Sequence, residues 1–260
     1  MGRGPRPVVR GNARLGPREF YDALPSTQDR AIALARDGAP EGTRVVARRQ
    51  EKGRGRLERA WESPVGGLYC SVVLRRPSAH AGLLPLTVGA RLAVGLRDRF
   101  ALPISLKWPN DILVGAVGTP MRKLSGILTD EVASPSLGRA AVVGVGVNVS
   151  LGRESVPGAL RDRVAALDEF VSPAPSVEEV ETIVVRAALE AARELRAQGG
   201  AEAARELCRT LLYGVGRPVT VDGHAAGTME SLGEEGELWL ATPTDRVAIW
   251  AGDVRVEEAR

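Results

Sequence analysis

The chain has 260 residues, enough for one sizeable hydrophobic core and a small second domain. Hydrophobic residues make up 44% and charged residues 26%, and the net charge of +3 is small, which excludes a disordered or strongly polycationic protein. No apolar run is long enough to cross a bilayer. Cys70 and Cys208 lie far apart and outside any metal-ligand spacing, which indicates buried thiols in a reducing compartment such as the cytoplasm.

The N-terminal segment carries arginines spaced among glycine and proline: Arg3, Arg6, Arg10, Arg14 and Arg18. Such a composition provides few apolar side chains to bury. We therefore predict a flexible basic arm over residues 1–19.

Helical and strand patterns follow one another over residues 20–212. Helical spacing of apolar residues predicts helices over 28–36, 83–100, 176–198 and 201–212. Apolar or alternating runs predict strands over 43–50, 67–74, 104–108, 112–114, 124–132 and 140–149. Residues 115–121 are glycine-rich and predict a hairpin connection. Strands joined by short links favour an α+β domain, with a mixed, largely antiparallel sheet backed by helices.

The pattern changes after Tyr213. Short strands are predicted over 218–221, 226–230, 237–241 and 246–250, with turns at Asp222-Gly223 and Glu235-Gly236. Several short strands in so little chain suggest a small β-barrel domain over residues 213–260.

The segment between Gln50 and Trp61 combines glycines with closely spaced arginines. Gly53 and Gly55 permit close backbone approach to a ligand. Arg54, Arg56 and Arg59 repel one another unless an anion neutralises them. We expect a loop that is loose when empty and ordered around an anionic ligand; a solvated basic loop or a nonspecific RNA contact is the alternative.

Lysine is rare in this chain. Only three of the 35 basic residues are lysines, namely Lys52, Lys107 and Lys123. An ammonium approaches a single oxygen as a compact point charge, which a guanidinium does not do. Each lysine also stands in or beside a conspicuous motif, so we expect at least some of them to serve a site rather than the surface.

Three other short motifs have a structural and a functional interpretation. Ser26 and Thr27 suit a helix cap, and Asn110 and Asp111 suit a tight Asx turn. Residues 144–148 (GVGVN) suit a glycine-kinked core strand. In each case the same geometry would also present polar atoms or bare backbone to a ligand.

Taken in order, these motifs resemble the biotin protein ligase family. The matching segments are Ser26-Thr27, Gln50 with 53–56 through Trp61, residues 107–111 (KWPND), residues 123–128 (KLSGIL) with Glu131, and residues 144–148. Each motif alone is weak, whereas all of them in one order are specific. The resemblance covers most of residues 20–260. It implies a class II aminoacyl-tRNA synthetase-like catalytic domain of the biotin-lipoate ligase type, followed by an SH3-like barrel.

The resemblance also implies a reaction. Biotin and Mg-ATP would form biotinyl-5′-AMP, and a lysine of a biotin carboxyl carrier domain would then take the biotin. Lys123, Arg56 and Asp111 are the implied catalytic residues. Biotin would contact Ser26, Thr27, Gln50, Gly53, Arg54, Lys123, Gly126, Gly144 and Gly146. ATP would contact Arg54, Arg56, Arg59, Trp61, Asn110, Lys123 and Asn148. Asp111 could alternatively help to hold Mg²⁺, which would otherwise be bound through the phosphates.

Two other classes of function stay open at this point. A lipoate- or octanoate-transferring enzyme shares the catalytic fold, and a biotin-responsive nucleic-acid-binding regulator would use the arginines. About twenty-five residues precede Ser26, too few for a winged helix-turn-helix, so we expect no specific DNA binding. Homodimerisation is compatible with the family.

Overall fold

A computed structural model describes residues 8–12, 15–77, 79–115, 119–135 and 138–257 of the chain. Eight strands form one sheet: β1 (Val8–Asn12), β2 (Gly16–Tyr21), β3 (Arg44–Ala47), β4 (Gly67–Arg75), β5 (Ile104–Lys107), β6 (Asp111–Val114), β7 (Arg122–Ser134) and β8 (Gly138–Asn148). Their order is β1-β2-β3-β4-β8-β7-β6-β5. Only β2 and β3 pair in parallel, so the predicted mixed, largely antiparallel sheet is confirmed.

Helices cover both faces of this sheet: α1 (Thr27–Arg36), α2 (Leu83–Phe100), α3 (Val177–Arg196) and α4 (Gly200–Leu211). Successive strand residues point to opposite faces. Val45 and Val73 accordingly pack in the cluster that contains Ala31 of α1, while Val46 and Val72 join the larger cluster under the other helices. The predicted α+β architecture is therefore correct, with the sheet in the middle layer.

A smaller sheet follows α4. It contains β9 (Pro218–Val221), β10 (His224–Leu232), β11 (Leu238–Ala241), β12 (Arg246–Ile249) and β13 (Val254–Val256), in the order β12-β11-β10-β9-β13. All its pairings are antiparallel. The predicted C-terminal β domain is present; its closure into a barrel and its boundary at residue 213 stay predictions.

The two sheets touch through backbone as well as side chains. The indole Nε1 of Trp108 donates to the carbonyl of Gly236 at 2.9 Å, and the Tyr213 N–H donates to the carbonyl of Leu106 at 2.8 Å. A Cβ at Gly82, just before α2, would collide with the Glu235 carbonyl. The smaller sheet is thus seated against the larger one beside β5.

The prediction of a flexible arm over residues 1–19 is wrong for the residues that form β1 and the start of β2, namely 8–12 and 16–19. Residues 1–7 lie outside the described residues, whereas β1 and β2 belong to the large sheet. Leu15 and Phe20 pack against the core, so this stretch does bury apolar surface. The middle of the predicted connection over 115–121, residues 116–118, also lies outside the described residues.

Cys70 and Cys208 are both free and buried. Burial raises the pKa of the Cys208 thiol to about 12 and that of Cys70 further, so neither is a reactive thiolate near neutral pH. No helix within the described residues is both long and apolar enough for a membrane span.

Glu181 of α3 ties the start of the sheet to the helical layer. Its carboxylate accepts from Arg18 of β2 at 2.7 Å and from Arg44 of β3 at 2.8 Å. Burial acts to raise the pKa of Glu181, but the hydrogen bonds from both arginines outweigh it, so the pKa lies below 4.5. A lowered folded-state pKa contributes stability that is present above the unfolded value and is lost as the pH falls through the folded value.

We expect Glu181→Gln to lower the free energy of unfolding by about 3 kcal/mol near neutral pH, because two partly buried guanidinium groups lose their counter-charge. Urea unfolding measures the loss. The difference from the parent chain should shrink as the pH falls through the lowered pKa of Glu181, because the parent carboxyl then becomes protonated as well. The exposed Glu190→Gln on the same helix is the control. A Glu181→Gln chain as stable as this control would contradict the assignment.

Candidate active site

A cavity of about 670 Å³ lies over strands β4 to β8 of the large sheet, between the loop that follows Gln50 and the turn before β13. It is lined by most of the residues that the sequence predicted for the site: Thr27, Gln50, Arg54, Arg56, Arg59, Trp61, Asn110, Asp111, Lys123, Gly126, Gly144, Gly146 and Asn148. Residues separated by more than a hundred positions thus meet at one place. The volume suits a small organic ligand.

Ser26 and Gly53 are the predicted site residues outside this lining. The Ser26 hydroxyl accepts from the Asp29 N–H at 3.4 Å and caps α1, which is the structural interpretation of this motif. Gly53 faces an adjoining groove of about 1030 Å³. A Cβ there would lie 2.6 Å from the Ser63 hydroxyl. In this structure Ser26 fixes the start of α1, which carries Thr27. Gly53 lies beside Ser63, a hydrogen-bond partner of Gln50.

One end of the cavity is a connected set of polar side chains. The Gln50 Oε1 accepts from the Thr27 N–H at 2.8 Å and from its hydroxyl at 3.0 Å. The hydroxyls of Thr27 and Ser71 lie 2.9 Å apart, and Ser71 donates to Gln28. Gln28 in turn donates to Asp130. The network fixes the orientation of each member, so this end presents preorganised donors and acceptors.

The middle of the cavity is apolar. The Trp61 ring lies directly on Gly126 and Gly146, where an added Cβ would come within 2.8 and 2.5 Å of ring atoms. The Trp61 Nε1 is buried without a hydrogen-bond partner among the described residues. Gly144 instead makes room for the Gln28 side chain, since a Cβ there would collide with its Oε1. Trp61 and Gln28 occupy the space beside these glycines here, and the close approach of a ligand to their backbone stays a prediction.

The charged part of the cavity centres on Lys123 and Asp111. The Lys123 Nζ lies 2.7 Å from the Asp111 Oδ1 and 5.1 Å from the Trp61 ring centroid. The register between β6 and β7 shifts between Ile112 and Leu113, so β7 carries an extra residue here. Such a bulge re-aims side chains. It leaves the Lys123 Nζ only 3.4 Å from a Cβ position on Gly126, inside the cavity.

Lys107 adds a second ammonium to the same region. Burial lowers its pKa, while Asp111 and Asp253 act in the opposite direction and Lys123 and Arg163 reinforce the lowering. The sequence marked Lys107 as rare but did not decide between a phosphate and an acidic partner. The structure gives it an acidic partner, Asp253, at 3.9 Å.

Backbone hydrogen bonds and ion pairs connect the glycine-arginine loop in this structure. The Gly55 N–H donates to the Arg59 carbonyl at 2.8 Å, and the Trp61 N–H donates to the Gly53 carbonyl at 2.9 Å. Carboxylates of the protein neutralise two of its arginines. Arg54 pairs with Asp29 at 2.7 Å, and Arg59 approaches the Asp253 carboxylate at 3.8 Å. The expectation of a loop that is loose when empty and ordered around an anionic ligand stays a prediction.

Arg56 differs from its neighbours. It forms no ion pair within the described part of the chain, and its closest polar contact is the Asn110 Oδ1 at 3.5 Å. Burial lowers its pKa and Arg59 adds to this, against the effect of Asp111. A guanidinium stays charged despite such a shift. Arg56 is thus a partly buried cation that lines the cavity.

Asn110 and Asn148 both donate hydrogen bonds to backbone carbonyls of the protein. Asn110 donates to the Ile127 carbonyl at 2.7 Å, which fixes the turn before β6. The Asn148 amide nitrogen donates to the carbonyls of Ala165 at 3.0 Å and Lys123 at 3.3 Å. Both of its N–H groups are thereby engaged, so the contact with ATP that the resemblance implies would have to be made by its Oδ1. Its Oδ1 stays an acceptor.

The residues of this site do not fit a protein-bound Mg²⁺. Oxygen ligands must converge on such an ion. The Asp111 carboxylate is already paired with Lys123, and the described residues contain no cluster of three His, Cys, Asp or Glu side chains that could hold a metal. Asp111 is therefore not assigned as a metal ligand.

Sequence reasoning missed several cavity residues. Segment 151–164 contributes Leu151, Val156 and Leu160, and the smaller sheet contributes Asp253. Arg163 and Ala165 connect this segment to Lys123 by backbone hydrogen bonds. No motif marks these residues, because they reach the site only through long-range packing.

Comparisons with known proteins agree with this geometry. Residues 21–148 match the model of the "Biotin/lipoate A/B protein ligase family". The Bifunctional ligase/repressor BirA of Bacillus spizizenii is 31% identical over 91% of this chain and 73% of its own length. The Biotin--[acetyl-CoA-carboxylase] ligase of Mycobacterium tuberculosis is 30% identical over 88% and 85%. The corresponding BirA of Bacillus subtilis is 37% identical, but the match spans only 46% of that protein.

A solved structure shows the same fold. The biotin protein ligase from Aquifex aeolicus in complex with biotin and ATP superposes with a TM-score of 0.77 and is 28% identical, covering 93% of this chain and 99% of that one. The chain belongs to the Biotin/lipoate A/B protein ligase family. Of the relatives that match most of its length, the one from Mycobacterium tuberculosis is named as a ligase of biotin, and the one from Bacillus spizizenii as a ligase and repressor.

Proposed function

We propose that this chain is a biotin protein ligase. It activates biotin with Mg-ATP to biotinyl-5′-AMP and transfers the biotin to a lysine of a biotin carboxyl carrier domain. The observation that carries the proposal is one cavity with three parts: a polar network at Gln50 and Thr27, an apolar floor at Gly126 and Gly146, and the Lys123–Asp111 pair. The relative in complex with biotin and ATP supports it.

The three parts suit the chemistry of biotin. Its ureido group needs fixed donors and acceptors, which the network around Gln50 supplies. Its fused rings need an apolar surface, and Trp61 would have to shift off Gly146 or stack beside the ligand to provide it. Its carboxylate would then lie near the Lys123 ammonium.

Activation joins two anions. A carboxylate oxygen of biotin attacks the α-phosphorus of ATP, and pyrophosphate leaves with the bonding electrons. Lys123 and the unpaired Arg56 offset the repulsion between carboxylate and phosphate. Because Arg56 is already partly buried and has no carboxylate partner among the described residues, its charge is available to the phosphates. Mg²⁺ would arrive on the phosphates of ATP.

Transfer needs a neutral amine. The acceptor lysine attacks the carbonyl carbon of the mixed anhydride, an amide forms, and AMP leaves. Asp111 lies beside Lys123 at the same end of the cavity and could orient the incoming ammonium or accept its proton. We place the enzyme in the cytoplasm, where its carboxylase partner would be found.

The direct test separates the two half-reactions. The purified chain is incubated with biotin and Mg-ATP, and pyrophosphate is measured; a biotin carboxyl carrier domain is then added, and its biotinylation is probed. Both products are expected. Lipoate in place of biotin tests the alternative function. No pyrophosphate with biotin would overturn the proposal, and equal activity with lipoate would reassign the substrate.

The adenylate must be kept from water, and the glycine-arginine loop lines the cavity where the adenylate would form. Leu57, at the tip of the loop, is 64% exposed. We expect biotin plus ATP to slow tryptic cleavage after Arg54, Arg56 and Arg59 by about tenfold, because closure would withdraw these bonds from the protease. Cleavage after the exposed Arg99, far along the chain, serves as the internal control. Equal cleavage with and without ligands would contradict closure.

A further inference from the structure

Asp253 of the smaller sheet faces the reaction cavity between two cations of other elements. Its Oδ1 lies 3.9 Å from the Lys107 Nζ at the end of β5. Its Oδ2 lies 3.8 Å from a terminal nitrogen of Arg59 in the glycine-arginine loop and accepts a longer hydrogen bond, 3.4 Å, from Arg255 of its own strand β13. One carboxylate therefore connects the smaller sheet, the larger sheet and the loop at a single point.

The backbone holds this carboxylate in place. The Asp253 N–H donates to the Asp222 carboxylate at 2.8 Å, and the Asp222 N–H donates back to the Asp253 carbonyl at 3.1 Å. The preceding Gly252 has a φ of 140°, which a residue with a side chain rarely adopts. β13 then pairs directly with β9. Asp253 is thus aimed at the cavity by a fixed turn.

The contacts leave room for a third group. A direct ion pair has nitrogen and oxygen about 2.7–2.9 Å apart. At 3.8 and 3.9 Å the carboxylate orients both cations without taking up their N–H donors. Lys107 is partly buried, so its ammonium depends on nearby carboxylates, whereas Arg59 is mostly exposed and depends on a contact that limits its freedom. An anion with several oxygens could bind to Lys107 and Arg59 at the same time.

We propose that Asp253 is a positioning residue that holds Lys107 and Arg59 where the phosphates of ATP bind, so that the smaller sheet completes the nucleotide part of the site. The inference rests on the proposed function. Without Asp253, the Arg59 side chain would adopt many conformations in solvent. It would then lose that conformational entropy each time ATP binds. Lys107 would keep Asp111 but lose the second of the two carboxylates that favour its ammonium.

The experiment is a comparison of KM values for the two substrates, from pyrophosphate release by the full chain. Asp253→Asn is expected to raise the KM for ATP about tenfold, the combined size of two partly exposed ion pairs, and to leave the KM for biotin within about twofold. Asp253→Glu keeps the charge and should recover most of the ATP affinity. Asp245→Asn, in another turn of the same sheet and outside the cavity lining, is the matched control.

The KM values distinguish a specific role of Asp253 from a general structural defect. A general structural defect would raise both KM values or lower the melting temperature, and Asp253→Glu would then give no specific recovery; that result overturns the inference. An unchanged or lower KM for ATP in Asp253→Asn overturns it as well, because the carboxylate would then be only a competitor of the phosphates. No pyrophosphate from the parent chain overturns the proposed function, and this inference with it.

Discussion

Lys123→Ala is expected to reduce the rate of pyrophosphate release by about 10³-fold, the largest single effect in this site. Its ammonium is the cation that the β7 bulge turns into the cavity, 2.7 Å from Asp111. Without it, the biotin carboxylate and the α-phosphate would meet beside an uncompensated Asp111. Repulsion between like charges in a desolvated site then raises the barrier.

Two variants make this result specific. Lys52→Ala removes a fully solvated lysine of the neighbouring loop and should leave the rate within about twofold. The double variant Lys123→Ala/Asp111→Asn removes the unpaired carboxylate and should restore stability but not the rate. A folded Lys123→Ala chain with undiminished pyrophosphate release would remove Lys123 from the mechanism.

Arg56→Ala should lower kcat/KM for pyrophosphate release by about 10²-fold, since it removes one preorganised cation from a partly buried position. Arg56 has no carboxylate partner within the described part of the chain, so little structure should depend on it. The melting temperature is therefore expected to change little, which separates this variant from a folding defect.

The neighbouring arginines give the contrast for Arg56. Arg49→Ala removes an exposed arginine that precedes the loop and should have no measurable effect. Arg56→Lys keeps the charge but loses the planar fork and should recover part of the rate. If Arg49→Ala and Arg56→Ala were equally active, Arg56 would contribute no more than general surface charge.

Local structure was largely predictable. The helix over 83–100 and the strand over 218–221 have the predicted bounds, because the apolar period and the flanking turn residues act over a few positions. The N-terminal strands were missed for the opposite reason. A stretch rich in Arg and Gly becomes a strand only because β3 and Glu181 provide distant partners.

The chemical types in the site were also contained in the sequence. A rare lysine, a glycine-arginine loop and an Asn-Asp turn indicated a site for an anionic ligand, and Lys123, Arg56 and Asp111 do meet in one cavity. The sequence could not say how these charges are neutralised. It predicted a ligand for all the arginines of the loop, whereas Asp29 pairs with Arg54 and Asp253 lies beside Arg59.

The sequence by itself therefore determined which groups are available, because side-chain chemistry and short-range turns are properties of neighbouring residues. Tertiary structure decided where they point and with what they pair. The bulge opposite Leu113 turns Lys123 into the cavity, and the turn at Gly252 brings an acid from the far end of the chain to Lys107. Both depend on strand register and on packing between sheets, which no local pattern encodes.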